Sequence, residues 1–273
     1  MDFNREMAIV IITCDAYADV MKEYLRYFKM NWPDCPFELI VVTETTGLDD
    51  DRAMFIKAGK ETQWTQRAII GIDSTNCPYI FMSMDDGFIS DKVDTNEVLN
   101  ILGFMKKHDI KYYRNPKRKY EHRNNPVFPD RQSAYKIRKN EVYGIDFGHN
   151  IWKKEKIREL LGDGSRNAWQ IEEYLNEIAL NSEHGYYDDI VSDRDNFLNI
   201  IETVSGGKWM PVEIKRLEAL GHPVNLGNRG ILPKSDTYRR KLHGFANRLV
   251  PAKHRKTVKK IVGKLGYKFV TKN

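Results

Sequence analysis

The sequence predicts an α/β fold, a mixed, mostly parallel sheet flanked by helices, and three observations predict it. Three short runs, Ala8–Thr13 (AIVIIT), Glu38–Thr43 (ELIVVT) and Tyr79–Met84 (YIFMSM), are largely apolar, as strands covered on both faces must be. Segments with helical spacing separate them, and this alternation over the first 90 residues is the pattern of parallel strands joined by crossover helices. A length of 273 residues with 41% hydrophobic content is enough for a sizeable core.

The elements follow in order. Asp19–Met30 places Val20, Tyr24, Tyr27 and Phe28 on one side of a helix, and Trp64–Asp73 reads as a second helix, ended before Asn76-Cys77-Pro78. Further helices are expected at 94–108, 152–161 and 168–181. Residues 112–140 are basic, contain prolines and lack clear periodicity, so they read as a long surface loop. The stretch 182–200 is polar, with Asp188-Asp189 at its surface, and Asp193–Ile201 is expected to form a short helix. From Lys234 onward Tyr238, Leu242, Phe245, Ala246 and Leu249, then Val258, Ile261, Val262 and Leu265, recur at helical spacing. The division expected is one domain over 1–233 and a basic amphipathic helical tail over 234–273.

Composition narrows the function classes. A mean hydropathy of −0.59 and the absence of an apolar run near 20 residues argue against an integral membrane protein. The N-terminus, with Asp2 and Glu6 around a short apolar run, does not read as a signal peptide. Cys14, Cys35 and Cys77 are odd in number and scattered, which fits a reducing compartment. The net charge of +6 hides an asymmetry: residues 234–273 carry thirteen Lys/Arg against Asp236, a net +12, so residues 1–233 carry −6. An anionic surface is the natural partner of that tail. A membrane fits better than nucleic acid, because a nucleic-acid reading built on Tyr112, Tyr113 and Tyr120 leaves the acids at the strand ends without a purpose.

The chemistry concentrates at the strand ends. Asp85-Asp86 follow an apolar strand at its C-terminal end, the edge at which open α/β sheets bind ligands, and Gly87 permits a sharp turn and close approach. Paired carboxylates suit a hard divalent cation that bridges them to a diphosphate. Thr13-Cys14-Asp15 end the first strand and Glu44 ends the second, so further acceptors for a ribose or base line the same edge. Trp64 and Arg67 stand one helical turn apart just ahead of the third strand, where Arg67 can reach a phosphate. A nucleotidyltransferase shares this logic but needs a glycine-rich basic loop after the first strand, and Thr13–Asp19 is acidic and free of glycine.

These residues, taken in order, resemble the GT-A-fold glycosyltransferases, in particular the small bacterial enzymes of surface-polysaccharide assembly (capsule, LPS and teichoic types). The resemblance rests on Trp64-Thr65-Gln66-Arg67, Pro78-Tyr79-Ile80, Asp85-Asp86-Gly87-Phe88, Ile151-Trp152-Lys153-Lys154, Trp169-Gln170-Ile171-Glu172 and Gly207-Lys208-Trp209, in matching order over residues 8 to 210. It implies Asp86 as principal ligand of Mn²⁺ or Mg²⁺ with Asp85 beside it, and a donor pocket of Thr13, Asp15, Glu44, Trp64, Arg67 and Asp85. It implies His149 and Trp169 on the acceptor, and Glu172 as general base with Glu173 its rival, for an inverting transfer. A carboxylate beside a Trp and an apolar helix face is partly desolvated and so more basic. The implied partners are a nucleotide-sugar donor (a UDP-sugar), a glycan or lipid-linked glycan acceptor and, through the tail, the inner face of the cell membrane. The sequence departs from the family where Met84 holds the place of the first acid of D-x-D, and His184 and His222 are candidates for an additional histidine ligand.

Overall fold

The computed structural model describes residues 5–115 and 124–233. The chain runs β1 (Met7–Ile12), α1 (Ala18–Asn31), β2 (Glu38–Thr43), β3 (Ala53–Lys57), α2 (Trp64–Asp73), β4 (Tyr79–Met84) and β5 (Gly87–Ile89). There follow α3 (Thr95–Lys107), β6 (Tyr112–Arg114), β7 (Val127–Phe128), β8 (Arg131–Arg138), β9 (Asn150–Lys153) and α4 (Lys154–Leu161). The described chain is completed by α5 (Ala168–Asn181), β10 (Tyr186–Asp193), β11 (Ile200–Glu202), β12 (Val204–Ser205), β13 (Lys208–Trp209) and α6 (Pro211–Ala219).

One nine-stranded sheet, ordered β3-β2-β1-β4-β9-β6-β10-β8-β7, forms the middle layer. Its first four strands are parallel neighbours, β9 lies antiparallel between β4 and β6, and β10 returns parallel to β6. The sheet is therefore mixed, with most strands pointing one way. The three apolar runs are its centre because both faces are covered. Ile9, Ile11 and Phe81 pack with α1, α3 and α6, whereas Val10, Ile12 and Met82 pack with α2, α4 and α5. Each fully buried side chain of this size stabilises the fold by about 1.5–3 kcal/mol.

α2 lies tightly against the sheet. A Cβ on Gly71 would stand 2.7 Å from both Val10 Cγ1 and Val42 Cγ2, branched carbons that cannot swing aside. Gly71→Ala is therefore expected to cost about 1–3 kcal/mol by overpacking, although Ala is the better helix former by ~1 kcal/mol. A urea titration measures the sign.

Four expectations are corrected. Residues 112–140 are not one surface loop: β6, β7 and β8 lie within them, and Tyr112, Tyr113, Ala134, Tyr135 and Ile137 are buried. Their charges hid this, because Arg131 is not solvated. It donates to the Tyr113 hydroxyl (2.7 Å) and Asp193 (3.0 Å) and is paired with Glu97, the pairing a buried cation requires. The helix expected at Asp193–Ile201 is absent; β10 ends at Asp193 and β11 begins at Ile200. β10 also takes in Asp188-Asp189, which lie on a strand rather than in a loop. The 152–161 helix begins two residues later, since Trp152 pairs in β9 with Ile80 and Tyr112. The basic tail, 234–273, lies outside the described residues. No helix among the described residues is long and apolar enough to cross a membrane.

Candidate active site at the C-terminal edge of the sheet

β1 and β4 are adjacent and parallel, so the residues that follow them emerge side by side. The Thr13 hydroxyl donates to the Asp85 carboxylate across this gap. Asp85 is only 7% exposed. Burial pushes its carboxyl up to about 7, against the opposing pull of the Thr13 bond, and the charge of Asp86 adds to the rise. Asp86 is half-buried, and its carbonyl accepts from the Thr203 amide (2.7 Å) and hydroxyl (2.9 Å). Those bonds extend the β5–β11 ribbon, in which Gly87 pairs with Glu202.

His149 sits against this turn. Its Nδ1 lies 3.0 Å from Ser83 Oγ, which is itself 2.9 Å from the Tyr24 hydroxyl, forming a buried polar chain beneath the acids. A Cβ on Gly87 would fall 2.0 Å from His149 Nε2, so the close approach needs glycine. Beyond His149 opens a polar cavity of about 330 Å³, bordered by Asn115, Asp146, Asn150, Glu202 and Met210. Asp146 Oδ1 accepts from the Gly148 amide and the Asn150 side-chain amide, each at 2.8 Å.

The cation beside the acids is Arg229, which the sequence did not reveal. It donates to both oxygens of Asp19 (2.9 and 2.6 Å) and to the carbonyls of Gly207 and Ala16, and its guanidinium lies 4.5 Å over the Tyr17 ring. Its hydrogen bonds hold Asp19 below the usual carboxylate range. Arg229 also acts on Asp85, whose carboxyl it draws down. Nothing in the aperiodic run around Gly227 and Gly230 marks it. Asp146 was equally missed, although an Asp two residues before a Gly is the signal of the Asx turn it makes.

Thr13, Asp85, Asp86 and His149 are thus brought together. Asp15, Glu44, Arg67 and Trp64 reach the same edge but are engaged with one another and with the framework. Asp15 accepts from the Thr45 and Thr46 amides (2.9 Å each) and the Thr45 hydroxyl, bonds that hold its carboxyl far below the usual range. Glu44 accepts from the Asp15 amide (3.1 Å) and from Arg67 (3.4 Å), which also donates to the Thr62 carbonyl (2.7 Å). Trp64 packs edge-on against Phe147.

For Glu172 and its rival Glu173 the premise of partial desolvation is corrected. Thr65 and Arg166 exchange hydrogen bonds that tie the start of α5 to the start of α2, on the site's edge of the sheet. Yet both glutamates are exposed and Trp169 is 58% exposed, so the desolvation expected to raise their basicity is missing. None of them borders the cavity beside His149. His184 pairs with Asn140 near the Arg138–Tyr186 end of the β8–β10 pair, away from Asp86. His222 packs edge-on against Tyr27.

Among the described residues no group of three or more His, Cys, Asp or Glu side chains is arranged to hold a metal. The adjacent acids instead suit the mode in which Mg²⁺ or Mn²⁺ takes one or two carboxylates and completes its shell with waters and substrate phosphates. No Lys or Arg among the described residues forms an ion pair with Asp85.

The sequence matches no protein-family model and no curated relative. Solved structures similar to it include S. aureus TarS in complex with UDP-GlcNAc, at 12% identity and a TM-score of 0.47, over 75% of this chain and 60% of that one. An active-site variant of LgtC is 12% identical with a TM-score of 0.36, over 67% and 68% of the two chains. 2-C-methyl-D-erythritol 4-phosphate cytidylyltransferase from Thermus thermophilus is 10% identical with a TM-score of 0.39, over 79% and 98%. This chain spans about 60% of the TarS fragment's length. TarS and LgtC are GT-A-type glycosyltransferases.

Proposed function

We propose that this chain is a glycosyltransferase that moves a sugar from a nucleoside-diphosphate donor to a hydroxyl of a glycan. In this reading the donor is a UDP-sugar and the acceptor a lipid-linked glycan of surface-polysaccharide synthesis. The observation that carries it is the placing of Asp85-Asp86-Gly87 at the C-terminal end of a buried central strand, with a polar cavity immediately beyond His149. Asp86 is the residue to hold Mg²⁺ or Mn²⁺, with Asp85 beside it; when bound, the ion would neutralise charge on the departing diphosphate. Asp85 itself is fixed by Thr13, and Arg229 clamps the turn at Ala16 and Tyr17 over which the donor would lie. Thermal-shift measurement with nucleoside diphosphates, with and without Mn²⁺ or Mg²⁺, tests the reading. Stabilisation by one nucleotide that is lost in Asp86→Ala is expected, and indifference to every nucleotide defeats it.

The acceptor's proton is assigned to Asp146 rather than to α5. Asp146 borders the cavity and is oriented by Gly148 and Asn150, whereas Glu172 and Glu173 are exposed. Removing a general base costs roughly 10²–10⁴ in rate. Asp146→Asn is therefore expected to lower kcat by at least about a hundredfold with nucleotide binding unchanged, while Glu172→Gln changes kcat little. The reverse result returns the base to Glu172. The segment 234–273, with a net charge of +12, is read as the contact with an anionic membrane surface, ~1 kcal/mol for each basic residue close to it.

A further inference from the structure

The cavity beyond His149 is unevenly charged. Among the described residues Asp146, Glu202 and Glu213 bring three carboxylates to its border and Arg216 the one guanidinium. Arg216 is a rim residue, its side chain 65% exposed, and its Nη1 lies 3.9 Å from Glu213 Oε2. Glu213 also stands in the first turn of α6, where its charge meets the positive end of that helix. Both positive features of the border are therefore offset by the same acid. Two acceptors remain for a ligand. Asn196 Oδ1 is shut off from solvent and has no hydrogen-bond partner among the described residues, a costly state for a polar atom. Asp146 takes the Gly148 and Asn150 bonds on Oδ1, which leaves Oδ2. Leu198 and Met210 supply an apolar stretch of wall, and a volume of about 330 Å³ is near the small end of ligand pockets.

We infer that this cavity takes one uncharged sugar residue, the terminal unit of the acceptor glycan, and discriminates against uronic acids and phosphorylated units. The inference deepens the proposed transfer and rests on that reading for the sugar's role as acceptor. A sugar ring matches the border group by group. Its hydroxyls donate to Asn196 Oδ1 and Asp146 Oδ2, and its C–H faces lie against Leu198 and Met210. A carboxylate or phosphate on the same ring would lose water and gain no free cation in exchange, among acids of its own sign. A donor diphosphate held at Asp86, on the other side of His149, adds to that repulsion. Selection thus comes from what the border repels as well as from what it bonds.

Saturation-transfer NMR on the full chain tests this, with and without UDP and Mg²⁺. The probes are methyl glucoside, galactoside and mannoside, each against its uronide and its 6-phosphate. At least one neutral glycoside is expected to bind about tenfold or more tightly than its two anionic counterparts. Asn196→Ala should weaken that glycoside by about three- to tenfold, the loss of one hydrogen bond to a buried acceptor. Glu202→Gln/Glu213→Gln, which removes two like charges and releases Arg216, should narrow the preference over the anions by about threefold or more. Anionic probes that bind as well as the neutral ones overturn the inference, and so does neutral binding indifferent to both variants. UDP binding without any glycoside binding also overturns it and leaves the transfer reading standing. Glycoside binding that follows these expectations while no nucleoside diphosphate binds does the reverse: the sugar site holds and the transfer reading falls.

Discussion

Asp86→Asn is expected to lower sugar transfer by at least about a hundredfold and to remove the metal-dependent part of nucleotide stabilisation, with thermal stability unchanged. The backbone here should hold, because Thr203 donates by its amide and its hydroxyl to the Asp86 carbonyl, and asparagine keeps both bonds. The side chain is nearly isosteric. What disappears is the negative charge, and with it the affinity of a hard cation for the edge. A hundredfold is two steps of ~1.4 kcal/mol, within the several kcal/mol that neutralising a diphosphate leaving group supplies. Steady-state kinetics at saturating Mn²⁺ and Mg²⁺, beside a thermal melt, separates this from misfolding. Activity retained by a folded Asp86→Asn would place the metal elsewhere.

The parts of this fold that could be read from sequence are those where both faces of an element are buried. Ala8–Thr13, Glu38–Thr43 and Tyr79–Met84 match β1, β2 and β4 to within a residue, because a strand with Ile9 and Val10 packing on opposite faces leaves no polar position to blur it. β3 was missed because it is a half-exposed edge strand whose pattern matches neither template. β8 was missed because Arg131 and Lys136 read as solvated charges, whereas tertiary partners far along the chain, Asp193 and Asp188, bind them.

The site divides in the same way. Thr13 and Asp85-Asp86 were legible since strand ends of a parallel sheet converge by topology alone. Arg229 was not, because its place against Tyr17 follows from a return of the chain over some 210 residues that no local pattern encodes. Partial desolvation of Glu172 was inferred from a neighbouring Trp and an apolar helix face, yet Ile171 and Leu175 turn inward on α5 while Trp169 and Glu172 are exposed. Spacing along one helix does not say which residue borders a cavity formed by several loops.

Gly87→Ala is expected to destabilise the protein by about 3 kcal/mol, on the order of 10 °C in Tm, and to abolish activity. The added methyl would sit 2.0 Å from His149 Nε2, 2.2 Å from Cε1 and 3.0 Å from Ile200 Cγ2. The ring is a rigid, buried obstacle whose Nδ1 is joined to Ser83 and through it to Tyr24. Relief requires either expelling His149 into the cavity, which leaves Ser83 and Tyr24 short of a buried partner, or parting β5 from β11, which carries Asp86 away from Thr203. Either route disturbs the acids. The cause can be isolated by a double-mutant cycle, since neighbours that share a contact are not additive. In His149→Ala the obstacle is gone, so adding Gly87→Ala should cost at least ~1 kcal/mol less than it does in the parent. Additive losses in urea denaturation would mean that the histidine does not rest on the glycine. The close seat between β4's acids and the cavity would then be wrong, and with it the route by which an acceptor held near Asp146 could meet a donor held at Asp86.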